Sequence, residues 1–310
     1  MKLLPPILKL SMLAGVPHSF IRRVGEALGS LAFFVDVRHR RIVSRNLRFA
    51  MPEMGPSWAE RTTRKVFQNA AITFLEILQI AVLSQKDILE KIRIKGEEHF
   101  SALKQREAGA IIISAHLGNW EMAHIFVACY LNEPLMLIAR KVNPDFLNRR
   151  INSVRSRFGS KVFDKKSALP KMARALKDGK ILGILIDQGT KSTEGVEVTF
   201  FGKRTTATPV AAILAQRYQV PVVPAFCFRR KDGFLEIVVQ PPLNLYETDN
   251  FSSDIVRNTQ LMTNIIEQAI RTHPEQWFWF HKRWKRHYPY LYREDIARKE
   301  RERRKRKAKR

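Results

Sequence analysis

The spacing of apolar positions changes character along this chain. In the first quarter Phe67, Ala70, Ala71, Phe74, Leu78 and Val82 recur at helical spacing and predict an amphipathic helix over about 58–83. Ser57 and Glu60 in "PSWAE" have the spacing of a capping box for it, and Pro56 helps to stop whatever precedes it. Short continuous apolar runs then begin: "AIIISA" (110–115), "PLMLIA" (134–139), "ILGILI" (181–186), "VPVVPAFCF" (220–228) and "FLEIVV" (234–239). Helical patterns lie between them at 120–131, about 144–158, about 167–178 closed by Gly179, and about 208–218 with Pro209 in the first turn. A last helix fits 253–272.

Apolar strands alternating with amphipathic helices predict an α/β fold, with a mainly parallel central sheet covered by helices on both faces. No internal repeat is visible. The expected organisation is an N-terminal helical membrane-associating region (1–57), an α/β domain (58–290) and a basic C-terminal tail (291–310).

The N-terminal assignment comes from composition. The run "MKLLPPILKLSMLAGVPHSF" is interrupted by Lys9, Pro5, Pro6 and Pro17, and "ALGSLAFFV" (27–35) is bounded by Glu26 and Asp36. Neither approaches the ~18 uninterrupted apolar residues of a spanning helix, and neither has the layout of a cleaved signal peptide. Arginine clusters follow them in "IRRV" (21–24) and "VRHRRIVSRNLR" (37–48). Apolar segments beside arginine clusters suit an anionic membrane surface, the plain alternative being a helical hairpin packed on the domain. Net charge is +26, of which the last ten residues, "RERRKRKAKR", carry +7. The body is therefore basic too, which calls for an anionic partner: nucleic acid, anionic lipid or an acidic carrier. Cys129 and Cys227 lie in apolar runs, outside any CxxC, and read as small buried hydrophobes.

In open parallel sheets, sites form at the carboxyl ends of strands. Three candidate ends carry polar residues: "SAHLGNWE" (114–121), "AR" (139–140) and "DQG" (187–189). In the first, His116 ends the strand and Glu121 falls in the first turn of the next helix, so the reversing chain could fold the carboxylate against the imidazole. A carboxylate on Nδ1 fixes the tautomer, leaves Nε2 as a base and stabilises the imidazolium. No G-x-S-x-G nucleophile elbow accompanies the pair, and Ser114 sits in the strand, so the substrate would supply the nucleophile. Glu121 and His124 form an isolated E-x-x-H without the second pair that a di-iron site needs, and no HExxH occurs. Residue types alone leave open whether His116 and Glu121 are catalytic or structural.

The blocks "SAHLGNWEM", "ARKVNPDF", "RSRFG", "LKDGKILGILIDQG", "VTFFGKRTTATPVAAILAQRYQVPVVP" and "HPEQWFWFHKRWK" occur in this order, with "NLRFAMPEM" upstream. Over about residues 20–286 the chain resembles the bacterial lipid A biosynthesis (late, secondary) acyltransferases of the lysophospholipid acyltransferase superfamily. The resemblance implies a glycerolipid acyltransferase-like fold at the cytoplasmic face of the bacterial inner membrane. It also implies transfer of a fatty acyl chain from an acyl carrier protein thioester to a hydroxyl of a lipid A precursor. His116 would then be the general base and Glu121 its orienting carboxylate, with oxyanion donors from backbone N–H groups at the start of the following helix. Arg140, Arg155 and Arg157 would bind phosphate, Asp187 would hold an arginine or the acceptor, and Gln188 and Asn119 would join the substrate-binding set. "FFG" (200–202) would line the acyl channel, and Trp277, Trp279 and Trp284 would form a membrane-interface belt. No metal or organic cofactor is implied.

The basic tail and the F-P-E-G phosphate motif, which is absent, depart from the wider pattern. Another glycolipid, a phospholipid or an ornithine-type lipid is the alternative acceptor. A basic nucleic-acid- or membrane-binding protein is the competing class, but no RRM, KH, zinc or helix-turn-helix signature supports a specific nucleic-acid partner.

Overall fold

A computed structural model of the chain describes residues 15–104, 108–139, 145–164, 168–298 and 301. Its centre is a seven-stranded sheet in the order β1–β9–β8–β2–β5–β3–β4. The strands are β1 (Ile92–Lys95), β2 (Ala110–Ser114), β3 (Met136–Ala139), β4 (Lys161–Asp164), β5 (Ile181–Leu185), β8 (Val222–Arg229) and β9 (Leu235–Val239). Five neighbours from β8 to β4 run parallel; β9 turns back antiparallel to β8, and β1 is parallel to β9. Outside this sheet β6 (Val196–Phe200) and β7 (Lys203–Ala207) form a hairpin.

The helices are α1 (His18–Val35), α2 (Val37–Ala50), α3 (Gly55–Ile80), α4 (Gln85–Glu90), α5 (Glu97–Lys104) and α6 (Trp120–Leu131). They continue with α7 (Asp145–Arg155), α8 (Ala168–Lys177), α9 (Val210–Tyr218) and α10 (Phe251–Thr272). Strand β2 shows why the sheet needs cover on both faces. Its Ile111 and Ile113 enter the core shared with the helices α3, α8, α9 and α10, while Ala110 and Ile112 enter the core under α5 and α6. Such a strand has no solvent side, hence its unbroken apolar run.

The five strands read from apolar runs all form. The four missed ones have other signals. Strands β1 and β4 are four-residue edges with few apolar residues to announce them. The hairpin closes on Phe201 (φ 54°) and Gly202 (φ 66°), the positive-φ pair that a tight two-residue turn requires. Phenylalanine accepts that backbone because its ring is buried against Trp279 and Trp284 with the Arg271 guanidinium 4.6 Å from its centroid.

Several expectations are corrected. Helix α3 begins at Gly55 with Pro56 in its first turn and no side-chain cap, so Ser57 and Glu60 make no capping box; the true one joins Ser84 and Asp87 at α4. Trp277, Trp279 and Trp284 are not an interface belt, since none is more than 2% exposed. They pack on Phe200 and Phe201, which are therefore core and not a channel wall. Three indoles this large gain more from core burial than from an interface.

The N-terminal helices are integral to the body. Gly25 and Gly29 let α1 approach α3 closely: a Cβ at Gly29 would lie 2.4 Å from the Gln68 Cα. On α2, the buried Asn46 side chain donates to the Trp279 and His281 carbonyls and accepts from the Tyr292 hydroxyl. The start of the expected tail is also tied down, with Tyr292 buried and Asp295 accepting from Arg38; residues 302–310 lie outside the described residues. The other face of α1 leaves Phe20, Leu28, Leu31 and Phe34 exposed, at spacings that share one stripe, and α3 adds exposed Phe74 and Leu78. Among the described residues no helix is long and apolar enough to cross a membrane.

Candidate active site

Register builds the site. Strands β2 and β5 are parallel neighbours with Ser114 opposite Leu185, so two residues further on His116 and Asp187 leave the sheet at one level. The imidazole Nδ1 lies 2.8 Å from Asp187 Oδ1, and the His116 backbone N–H donates to Oδ2 at 3.1 Å. The Trp277 indole donates to the same Oδ2 at 2.7 Å. Asp187 is buried, which opposes ionisation, but the His116 charge and these donors outweigh that and hold the carboxyl well below the usual range. Burial also opposes protonation of His116. Asp187, with a smaller contribution from Glu121, outweighs it and raises the imidazole pKa above 6.5. With Nδ1–H on Asp187, Nε2 is left as an acceptor, 3.4 Å from the exposed Gln188 amide nitrogen.

Glu121 does not take the place expected for it. It lies in the first turn of α6, and its carboxylate is gripped by both faces of the Arg155 fork: Nε donates to Oε2 at 2.9 Å and Nη2 to Oε1. The Trp120 indole donates to Oε1 at 3.2 Å. Burial would raise the Glu121 pKa, but the Arg155 hydrogen bonds and the neighbouring charges keep it lowered. The imidazole partner is thus Asp187, and Asp187 holds a histidine where the sequence suggested an arginine or the acceptor. A guanidinium reaching over from α7 satisfies Glu121 bidentately, stronger than one contact to an imidazole. His124, one turn on, is kept neutral chiefly by burial, and its Nδ1 is 3.4 Å from the Trp120 carbonyl.

The turn between them is fixed from below. Gly118 has φ +56°, and a Cβ there would sit 2.1 Å from the Cys227 carbonyl oxygen, so only glycine lets the turn cross β8. Its N–H donates to the Gln276 carbonyl, the Leu117 N–H to Ala115, and the Met122 N–H to the Asn119 side chain. These three amides are spent, which removes them from the expected set of oxyanion donors. Asn119, fully buried, caps α6 with its oxygen and donates its nitrogen to Glu76 Oε2 at 2.8 Å.

Glu76, on α3, is the hub that the sequence did not disclose. Its carboxylate also accepts from Arg229 Nη2 at 2.6 Å and Nε at 3.2 Å, and contacts His18 of α1 at 2.8 Å. Burial alone would raise its pKa; Arg229 and His18 hold it at about 2. A glutamate amid the helical run 67–82 reads as a surface position, and its partner 153 residues away has no local signal.

An apolar cavity adjoins these groups, between α6 and the sheet. Trp120, Glu121 and Arg155 frame the end by His116, with the Trp120 ring 5.1 Å from the imidazole. Small residues make the room: Ala123 on α6, and Ala139, Gly183 and Ala225 on the strands. Of the remaining predicted site residues, Arg157 donates to the Ile80 carbonyl at 2.7 Å and stacks near Phe158. Arg140 lies outside the described residues. Among the described residues no group of three or more His, Cys, Asp or Glu could hold a metal ion.

A sequence profile described as "Bacterial lipid A biosynthesis acyltransferase" matches residues 7–286. The chain is 25% identical over 272 residues, 87% of each chain, to the lipid A biosynthesis lauroyltransferase of Escherichia coli (strain K12). It is 22% identical over 274 residues (87% of this chain, 86% of the relative) to lipid A biosynthesis acyltransferase 2 of Shigella flexneri. A phosphatidylinositol mannoside acyltransferase of Mycolicibacterium smegmatis is 24% identical over 213 residues, 67% of each chain.

Proposed function

We propose how this chain, which belongs to the bacterial lipid A biosynthesis acyltransferase family and is an acyltransferase by that membership, performs its transfer. An acceptor lipid hydroxyl displaces Gln188 at His116 Nε2 and attacks the carbonyl of an acyl thioester. Nε2 takes the hydroxyl proton as the C–O bond forms, and Asp187 stabilises the imidazolium. Collapse of the tetrahedral adduct breaks the C–S bond, and the imidazolium returns the proton to the leaving thiolate. The Gln188 amide, beside Nε2, is the group proposed to meet the oxyanion. The donor's alkyl chain occupies the apolar cavity behind Trp120, and Arg155, held in place by Glu121, faces the anionic portions of the substrates at its entrance.

The observation that carries this reading is the conjunction of the His116–Asp187 couple with an apolar cavity opening beside it. The proposed donor is acyl carrier protein, whose acidic surface suits the +26 chain. The proposed acceptor is a bisphosphorylated lipid A precursor, for the same electrostatic reason. The apolar stripe of α1 rests on the cytoplasmic face of the inner membrane, with arginines of α1 and α2 toward anionic headgroups. The test incubates purified full-length protein with acyl carrier protein thioester and the lipid A precursor, followed by mass spectrometry. One added acyl chain supports the reading. Transfer only to another glycolipid, a phospholipid or an ornithine-type lipid overturns the acceptor and keeps the chemistry; no transfer to any of them overturns both.

A further inference from the structure

We propose that Gly183, with the Leu137 side chain lying over it, sets the length of the acyl chain that this enzyme accepts. This rests on the reading of the cavity as the acyl site. Gly183 is in the middle of β5, aligned with Ile112 of β2 and Leu137 of β3, and all three line the cavity floor. It lies four residues before Asp187, which follows the end of the strand, and so roughly 13 Å below the reacting end at the usual strand rise. An alkyl chain threaded from the thioester carbonyl into the cavity meets this layer after most of its length.

Glycine in the interior of a central strand needs a reason, because it packs nothing and weakens the strand. Gly183 has no positive φ to supply one. The reason is space. A Cβ there would stand 2.9 Å from Leu137 Cδ2 and 3.9 Å from Leu135 Cδ1, with no backbone atom of the neighbouring strands inside 4 Å. Leu137 therefore lies down in the room that a side chain at 183 would take. Any larger residue lifts it into the cavity and shortens the floor. From the opposite side, Val127 of α6 meets the same space, so trimming it lengthens the cavity.

The two positions give opposite expectations. A graded series of straight-chain acyl carrier protein thioesters is offered to the full-length enzyme, and kcat/KM is measured for each. Gly183→Ala lowers the ratio of the longest accepted donor to the next shorter one by about 10-fold or more, the discrimination that a methylene acquires in a closed apolar pocket. Val127→Ala moves the optimum to longer donors. Circular dichroism and thermal melting establish that each variant is folded. A folded Gly183→Ala enzyme with the wild-type chain-length profile overturns the proposal; should that variant not fold, an unchanged profile in Val127→Ala does so. Absence of transfer by the wild type with every donor would instead remove the acyl reading on which the proposal stands.

Discussion

Two carboxylates flank the candidate base, and they differ instructively. Glu121 is five residues from His116 and binds an arginine; Asp187 is 71 residues away and binds the imidazole. Both are buried, and both have pKa values pulled below the ordinary range by a cationic partner. What separates them is geometry. Parallel register brings Asp187 level with Nδ1, while the first turn of α6 points Glu121 toward α7. Proximity in sequence therefore says which residues share a turn, and sheet register says which side chains share a proton.

The sharpest test of that contrast needs a baseline. His116→Ala is expected to lose roughly 10²–10⁴-fold in kcat with the fold intact; near-normal turnover by a folded variant would end the mechanism for either carboxylate. Next in size is Asp187→Asn, expected to lose most of the same factor and also to shift the pH profile. The base is active when neutral, so kcat/KM climbs as pH rises through the raised pKa of His116. Removing the Asp187 charge takes away what raised it, and the limb must move to lower pH. Should Glu121→Gln move that limb further than Asp187→Asn, the assignment of partners is reversed.

The same pair has a stability signature. Because the His116 pKa is raised in the fold, its contribution is complete below about 6.5, the unfolded value, and is lost as pH rises through the folded value. Asp187 contributes in the opposite sense, losing its share as pH falls through its depressed value. Melting temperature of wild type against Asp187→Asn across pH reads both.

Arg155→Met comes third and falls mainly on stability. It leaves Glu121 buried without its guanidinium, a change worth about 3 kcal/mol for a buried pair. Urea denaturation should show it, with the pH limb moving less than in Asp187→Asn; a variant as stable as wild type would mean that the pair is dispensable. Trp277→Phe is the mildest. It removes one hydrogen bond to a charged carboxylate, about 1.5 kcal/mol, which corresponds to roughly tenfold in kcat if Asp187 orients the base. A Trp277→Phe enzyme with unaltered kcat would show that the indole serves packing alone.

Much of this arrangement was legible beforehand. Apolar runs located the five main strands, and two of their polar ends, at 114–121 and 187–189, are the ones that meet at the candidate site. The partner of His116 was not legible, because both carboxylates satisfy the same chemical rule and only pairing register separates them. The hairpin hid behind Phe201, whose left-handed backbone is sustained by tertiary packing that overrides its local preference. Tryptophans interleaved with Lys282, Arg283 and Lys285 imitated an interface, yet Arg283 itself is buried, donating to the Thr206 carbonyl and stacked near Phe200. Glu76 was invisible for a related reason: a buried charge is admissible only with partners, and Arg229 and Asn119 are brought to it by the fold.

The bridge between Leu117 and Trp277 fastens the active-site turn to a late segment of the chain. Its consequence is one of timing during synthesis. The strand and turn bearing His116 are made early, but Asp187 lacks its indole donor, and Gly118 its carbonyl partner at Gln276, until translation passes residue 277. A nascent chain arrested before that point could fold helices and pair strands with the active-site turn still unfastened. At typical synthesis rates of about 5–20 residues per second, the interval is many seconds, long against local folding, during which the turn that bears His116 waits for its last two partners.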